Sequence, residues 1–290
     1  MNEFPDFLRF SIASPVNEFM KVILDKYSAV FDYISTTILW MLMLIESFLL
    51  WVPWWLVVIL VIFLGCRVTK SWLTGAVMGI MLTAVGSLGM WDLMMQTLAI
   101  VGVAVFIAVV LGIPTGILMA SNSKLEAFLR PVLDAMQTMP SFVYLIPALM
   151  FFGLGKVPGI FATLIYALPP IIRLTNLGIR QVSEDVIEAG KAFGATRMQL
   201  LFKIQLPLAM PSVMSGVNQT TMMALAMVVI ASMIGARGLG EPVLIAIGRI
   251  DVGRGLEAGI CIVILAIVID RLLQGLGNQQ SSGQKQVIKQ

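Results

Sequence analysis

Few residues in this 290-residue chain have the types and spacing for chemistry. Histidine is absent, which removes the commonest general base and the commonest transition-metal ligand. Cys66 and Cys261 both lie in apolar runs without any Cys-x-x-Cys spacing, so neither a disulfide nor a metal site is expected. Gly190-Lys191 looks like the end of a phosphate loop, but Asp185 stands where the earlier glycine belongs and Ala192 where Ser or Thr belongs. No Gly-x-Ser-x-Gly or His-Glu-x-x-His pattern occurs, and no catalytic residue is expected. What remains is the chemistry of recognition. Glu126, Arg130 and Asp134 stand four apart, an acid-base-acid ladder on one helix face that reads as solvated surface. Residues 235–259 carry Arg237, Glu241, Arg249 and Asp251, charges of both signs that suit either a docking loop for a soluble partner or an ordinary exposed loop. The stretch 137–154 holds Met139, Pro140, Phe142, Tyr144, Pro147, Phe151 and Phe152, which predicts a bent, aromatic-rich helix. Its rings either pack against lipid and neighbouring helices or line a path.

One polar interval, residues 183–207, lies between strongly apolar blocks. Ser183 is placed to cap a helix whose first turn holds Glu184 and Asp185, carboxylates that suit the positive helix end. That helix is expected to run to about Phe193, with Gly194 supplying a sharp turn. Thr196 and Gln199 have capping-box spacing for a second helix, which Pro207 is expected to close. Apolar Val186, Ile187, Phe193, Leu200 and Ile204 interleave with Lys191, Arg197 and Lys203. Such a pair of short helices on the inner face of a membrane protein makes a docking knob.

The elements that must position this knob are membrane spans. The chain is 59% hydrophobic and 12% charged, with a mean hydropathy of +0.95, where a soluble protein carries about 25% charged residues. A net charge of +3 without clustered basic residues excludes a nucleic-acid binder driven by phosphate contacts. Residues 1–33 read as a tail and an amphipathic helix lying at the bilayer interface, without the features of a cleaved signal peptide. A span is expected over about 48–66, while 34–46 either adds a further span or does not. Six more follow over about 72–90, 93–120, 131–154, 157–172, 208–234 and 256–273. The fold class is therefore an all-α membrane protein of about seven transmembrane helices plus the interfacial helix. With the knob inside, Arg67, Lys70, Lys124, Arg130, Arg173, Arg180, Lys191, Arg197, Lys203, Arg271, Lys285 and Lys289 share its side. Those twelve of the 19 basic residues agree with the positive-inside rule. Gly75-x-x-x-Gly79 and Gly112-x-x-x-Gly116 favour close packing within one subunit over a dimer seam. The polar end after Gly275 reads as a disordered cytoplasmic tail.

Glu188-Ala189-Gly190, then Gly194, then Ile204, Leu206 and Pro207 reproduce the spacing of the coupling motif in membrane subunits of bacterial ABC importers, with Gly190 where that motif prefers Ala. The runs 134–145, 151–153, 157–159, 169–179, 218–219, 227–233, 238–240 and 262–271 extend the likeness over about residues 85–275. Within that class the chain resembles the permease subunit of glycine betaine/proline-betaine importers. The resemblance implies a type I importer transmembrane fold in a bacterial inner membrane. Its parts are an N-terminal tail and amphipathic segment at 1–47, peripheral spans at 48–92, a core at 93–274 that includes the coupling helices 183–207, and a polar tail at 275–290. It implies a second copy of the chain, a separate ATPase subunit that binds ATP and Mg and holds each knob in a cleft, and an extracellular binding protein that delivers the osmolyte. No cofactor is expected in this chain. Under this reading Glu188, Ala189, Gly190, Gly194, Ile204, Leu206 and Pro207 couple to the ATPase. Met139, Pro140, Phe142 and Tyr144 line the path, and Arg237, Glu241, Arg249 and Asp251 meet the binding protein. An importer for choline, carnitine or methionine is the nearest alternative. An ion-coupled secondary transporter is a different class, for which only Glu46 and Asp134 offer ionisable groups near the spans.

Overall fold

Hydrocarbon offers a backbone no hydrogen-bond partner, so a spanning chain without a closed barrel must be helical. In the computed structural model, which describes the backbone of residues 11–287 and the side chains of residues 11–277, every regular element is a helix. Readings that fall on residues 1–10 or 288–290 lie outside the described residues. The order is α1 Ala13–Trp51, α2 Trp54–Thr69, α3 Trp72–Ser87, α4 Trp91–Ser121, α5 Ser123–Thr138, a 3₁₀ turn Ser141–Tyr144, α6 Leu145–Phe152 and α7 Lys156–Arg180. Then come α8 Glu184–Ala192, α9 Arg197–Leu200, a π-helical turn Leu201–Gln205, α10 Leu206–Ala231, a 3₁₀ turn Ser232–Ile234, α11 Gly240–Arg249 and α12 Val252–Val287.

Four helices are long and apolar enough to cross a bilayer, namely α1, α4, α7 and the continuous run from Arg197 to Ile234. The pair formed by α5 and residues 141–152 passes the same test when taken together, bent by 107° at its break. Pro140, with Met139 extended before it, stands at that bend, as a residue preceding proline is disfavoured in the α region.

The N-terminal third differs from the sequence reading. Residues 13–33 are helical and lead into 34–51 through a kink at Tyr27, whose φ −120° and ψ 19° leave the helical region. The expected single span over 48–66 is instead divided, since Val52 is extended before Pro53 and α2 begins afresh at Trp54. Residues 235–259 contain α11 rather than loop alone, and the tail expected to be disordered after Gly275 is helical through Val287.

The core forms where α7 packs between α4 and α10. Gly112 and Gly116 present one face of α4 to Ile171 and Thr175 of α7. A methyl at Gly116 would lie 2.6 Å from Thr175 Cβ and 2.7 Å from the Ile172 carbonyl oxygen, so only glycine admits this approach. Gly75 does the same for α3 against α2, where a methyl would meet Cys66 Sγ at 2.5 Å. Both small-residue pairs are thus used within the subunit. On the flank, α1 is tied to the start of α7 by Lys156 Nζ, 2.6 and 2.7 Å from the two Glu46 carboxylate oxygens. Both side chains are largely shielded, so each charge has its partner where solvent is scarce.

Overpacking of this kind costs about 1–3 kcal/mol. Gly116→Val is expected to lower the thermal unfolding midpoint of the purified protein in detergent, whereas Gly102→Ala, whose added methyl meets nothing within 4 Å, leaves it unchanged. Equal midpoints for the two variants would show that the α4–α7 approach is not the tight contact described.

Candidate functional site

The interval 183–205 folds as a helical hairpin held by its own caps. Glu184 and Asp185 occupy the first turn of α8, as their charge favours. Ser183 stands at the N-cap position without capping: its hydroxyl faces the Asp185 carboxylate at 3.5 Å instead. At the far end Gly194 takes φ +76°, its N–H reaches the Lys191 carbonyl at 2.9 Å and the Ala195 N–H reaches Gly190 at 3.1 Å. This is the Schellman arrangement that a left-handed glycine closes. The capping box of the second helix is complete, with Thr196 Oγ1 accepting from the Gln199 N–H at 3.4 Å and Gln199 Oε1 accepting from the Thr196 N–H at 2.8 Å.

Pro207 does not close that helix. The chain runs from Arg197 through the π turn directly into α10, and the Leu206 N–H bonds back five residues to Leu201. A proline needs no N–H acceptor and clashes with the carbonyl four residues back in a regular α-helix. The widened turn immediately before Pro207 has already shifted that ladder by one residue.

Inside the hairpin, Gly190, Leu200 and Ile204 meet. A methyl at Gly190 would lie 2.6 Å from Leu200 Cδ2 and 2.8 Å from Ile204 Cδ1, the mobile ends of two flexible side chains. Leu206 is half-buried beneath them, while Glu188, Ala189 and Pro207 are exposed. The outer surface carries an apolar tip, Phe193, which is 92% exposed, and Val186, Met198 and Phe202 of the same hairpin are exposed as well. Met198 and Phe202 had no role in the sequence reading; the available signal was an apolar pair out of phase with the buried set.

The root of the hairpin is fixed by a charged cluster. Arg180, on the last turn of α7, lies 2.7 Å from Glu126 Oε2 and donates to Asn176 Oδ1 at 3.0 Å and to the Met119 carbonyl at 3.0 Å. Glu126 Oε1 also accepts from Asn176 Nδ2 at 3.1 Å and Arg130 at 2.7 Å, while Asp134 pairs with Arg173. The ladder on α5 is therefore not a merely solvated face. Its two carboxylates bind α7, and with Met119 they join α4, α5 and α7 around a hollow of about 300 Å³.

The residues assigned to a path separate. Met139, Pro140 and Phe142 are exposed at the bend between α5 and α6. Tyr144 is buried, its hydroxyl donating to the Met136 carbonyl at 2.5 Å and its ring 6.2 Å from that of Tyr166. Phe151 stacks on Phe31 at 4.4 Å and Phe152 lies 4.9 Å from Phe161, so these rings contact one another rather than an open space. On the opposite end of the bundle from the hairpin, Arg237 and Arg249 are exposed and Glu241 is half-buried. Asp251 caps α12 by accepting the Arg254 N–H at 3.1 Å. Ile247, Ile250 and Val252 are exposed beside them.

Residues 112–279 match the family of binding-protein-dependent transport system inner membrane components. The glycine betaine/proline betaine transport system permease protein ProW of Escherichia coli K12 is 56% identical over 201 residues, covering 69% of this chain and 57% of that protein. The chain thus spans a little over half the length of that relative. The glycine betaine/carnitine transport permease protein GbuB of Listeria monocytogenes is 51% identical over 237 residues, covering 80% of this chain and 83% of that one. Among solved structures, an inward-facing conformation of the MetNI methionine ABC transporter superposes with a TM-score of 0.60 at 23% identity, over 64% of this chain and 93% of that one. That likeness shows a shared fold.

Residues sharing one ion-pair network couple by about 0.5–3 kcal/mol. In a double-mutant cycle of Glu126→Gln and Arg180→Gln, read by thermal unfolding, the pair is expected to lose less than the sum of the singles. Strict additivity would show that the two groups act independently.

Proposed function

The chain belongs to the family of binding-protein-dependent transport system inner membrane components, and from that premise we propose that it is the membrane-spanning subunit of an ATP-driven importer of glycine betaine or a related quaternary-ammonium osmolyte. The observation that carries this reading is the hairpin. It is rigid by its own caps, presents the exposed Phe193 tip, and continues without interruption into α10 while its other arm springs from α7. A lever of this kind converts closure of a cleft around the tip into rotation of two spans.

The remaining parts of the complex follow from the same reading. A separate ATPase subunit binds ATP and Mg and receives the hairpin; a second copy of this chain completes the path; an extracellular binding protein docks against the region of Arg237, Glu241 and Arg249. The named relatives support a betaine-class substrate over methionine. The competing class, an ion-coupled transporter, is disfavoured because Glu46 and Asp134 are each neutralised by a basic partner, Lys156 and Arg173.

Four outcomes are expected. The reconstituted permease, ATPase and binding protein take up labelled glycine betaine in preference to choline, carnitine and methionine; uptake of methionine alone would sink the substrate assignment. Gly194→Val forces a β-branched residue into the left-handed region and is expected to abolish uptake while the binding protein keeps its affinity. Gly190→Ala displaces only side-chain ends and keeps most activity. Normal uptake by Gly194→Val would remove the hairpin from the coupling role. A Gln199→Cys side chain is labelled only from the cytoplasm, and labelling from outside would invert the topology.

A further inference from the structure

A groove between the middle of α10 and α12 has a volume of about 590 Å³, within the range of about 300–1,000 Å³ usual for small-molecule sites. It is lined by Met214, Ser215, Asn218, Gln219 and Met222 of α10 and by Gln274 of α12. The run that contains α10 is apolar enough to span a bilayer, yet Ser215 and Gln219 are exposed on it one turn apart. A glutamine amide facing hydrocarbon is costly, so this face meets water, a solute or another chain.

Behind the groove stands Asp270. Its carboxylate accepts from Asn218 Nδ2 at 2.8 Å and from Gln274 Nε2 at 2.7 Å to each oxygen. Among the described residues no basic group lies within ion-pair distance of it. Two amides therefore spend their N–H groups on one carboxylate without cancelling its charge. That donation turns the Asn218 carbonyl oxygen away from Asp270, and it is buried without a partner.

We propose that this groove is a transient site for the quaternary ammonium group of the solute on its way into the cell, a reading that rests on the function proposed above. A quaternary ammonium has no N–H to donate, so a site for it needs a negative field, carbonyl dipoles and polarisable surface rather than hydrogen-bond acceptors in fixed directions. Asp270 supplies the field, Asn218 the dipole, and Met214 and Met222 the soft apolar walls. The Gln219 amide supplies a donor for the carboxylate of a zwitterion. Because two amides insulate the carboxylate, the cation is attracted without a direct ion pair that would slow its release.

The test is saturation-transfer NMR on the permease–ATPase complex in lipid nanodiscs, without binding protein. Glycine betaine is compared with 3,3-dimethylbutyrate, which has carbon in place of the cationic nitrogen. Transfer to the N-methyl protons is expected, with the neutral-headed analogue bound about tenfold more weakly. Asp270→Asn is expected to erase that preference. Gln219→Leu, an exposed position where no buried partner is lost, is expected to weaken binding of the zwitterion even if Asp270→Asn fails to fold. Equal transfer for both solutes, an unchanged preference in Asp270→Asn, or unchanged betaine binding in Gln219→Leu overturns the site. So does disulfide formation between two copies carrying Ser215→Cys without any solute signal, which would assign the face to chain–chain contact. Betaine uptake by the full complex with no transfer here rejects this site alone, while absence of uptake rejects the importer assignment on which it rests.

Discussion

The approach of α7 to α4 at Gly112 and Gly116 sets the geometry of everything functional in this chain. Without side chains at those two positions, Ile171 and Thr175 sit directly against the backbone of α4, and α7 becomes a post held on both sides. Its far face packs on α10 at Gly216, where a methyl would be 3.1 Å from Ile171 Cδ1. A single isoleucine therefore touches both neighbours. Any motion delivered to one of these three helices reaches the other two, since tightly packed interiors transmit displacement rather than absorb it.

The end of that post from which the hairpin springs is fixed through charges. Arg180 ends α7 and simultaneously binds Glu126, Asn176 and a carbonyl of α4. An arginine fork suits this place because its planar donors satisfy several acceptors at fixed angles. At the turn of the hairpin the two helix ends are satisfied locally, by the Schellman arrangement at Gly194 and the capping box at Thr196. Rigidity within and a multidentate root together define a lever.

Local rules made the spans and the hairpin readable in the sequence. Hydropathy located α4, α7 and α10, and the glycine and capping-box spacing located both ends of the hairpin turn. What escaped were features decided by partners far along the chain. Glu46 and Lys156 are 110 positions apart, and nothing in the spacing of either announces the pair. The ladder on α5 was visible, but its partners Arg173, Asn176 and Arg180 lie on another helix. Pro207 was misread because the rule that proline ends helices assumes a regular ladder, and the preceding turn is not regular. Phe142 and Tyr144, two residues apart across a 3₁₀ turn, fall in opposite environments that no helical or strand period assigns.

The wide turn at Leu201–Gln205 has a bearing on phase. Each residue advances a helix by about 100°, and a π turn holds one residue more than an α turn. The apolar faces of α9 and α10 are consequently offset from one another, which lets Leu200 point into the hairpin while Ala209 and Val213 point into the bundle. Two surfaces with unrelated orientation are thereby carried on one unbroken rod. A chain shortened by one residue at this turn would keep both surfaces and lose their angular relation, swinging the Phe193 tip around the axis of α10. The extra residue acts as the gear setting between the membrane and the cleft outside it.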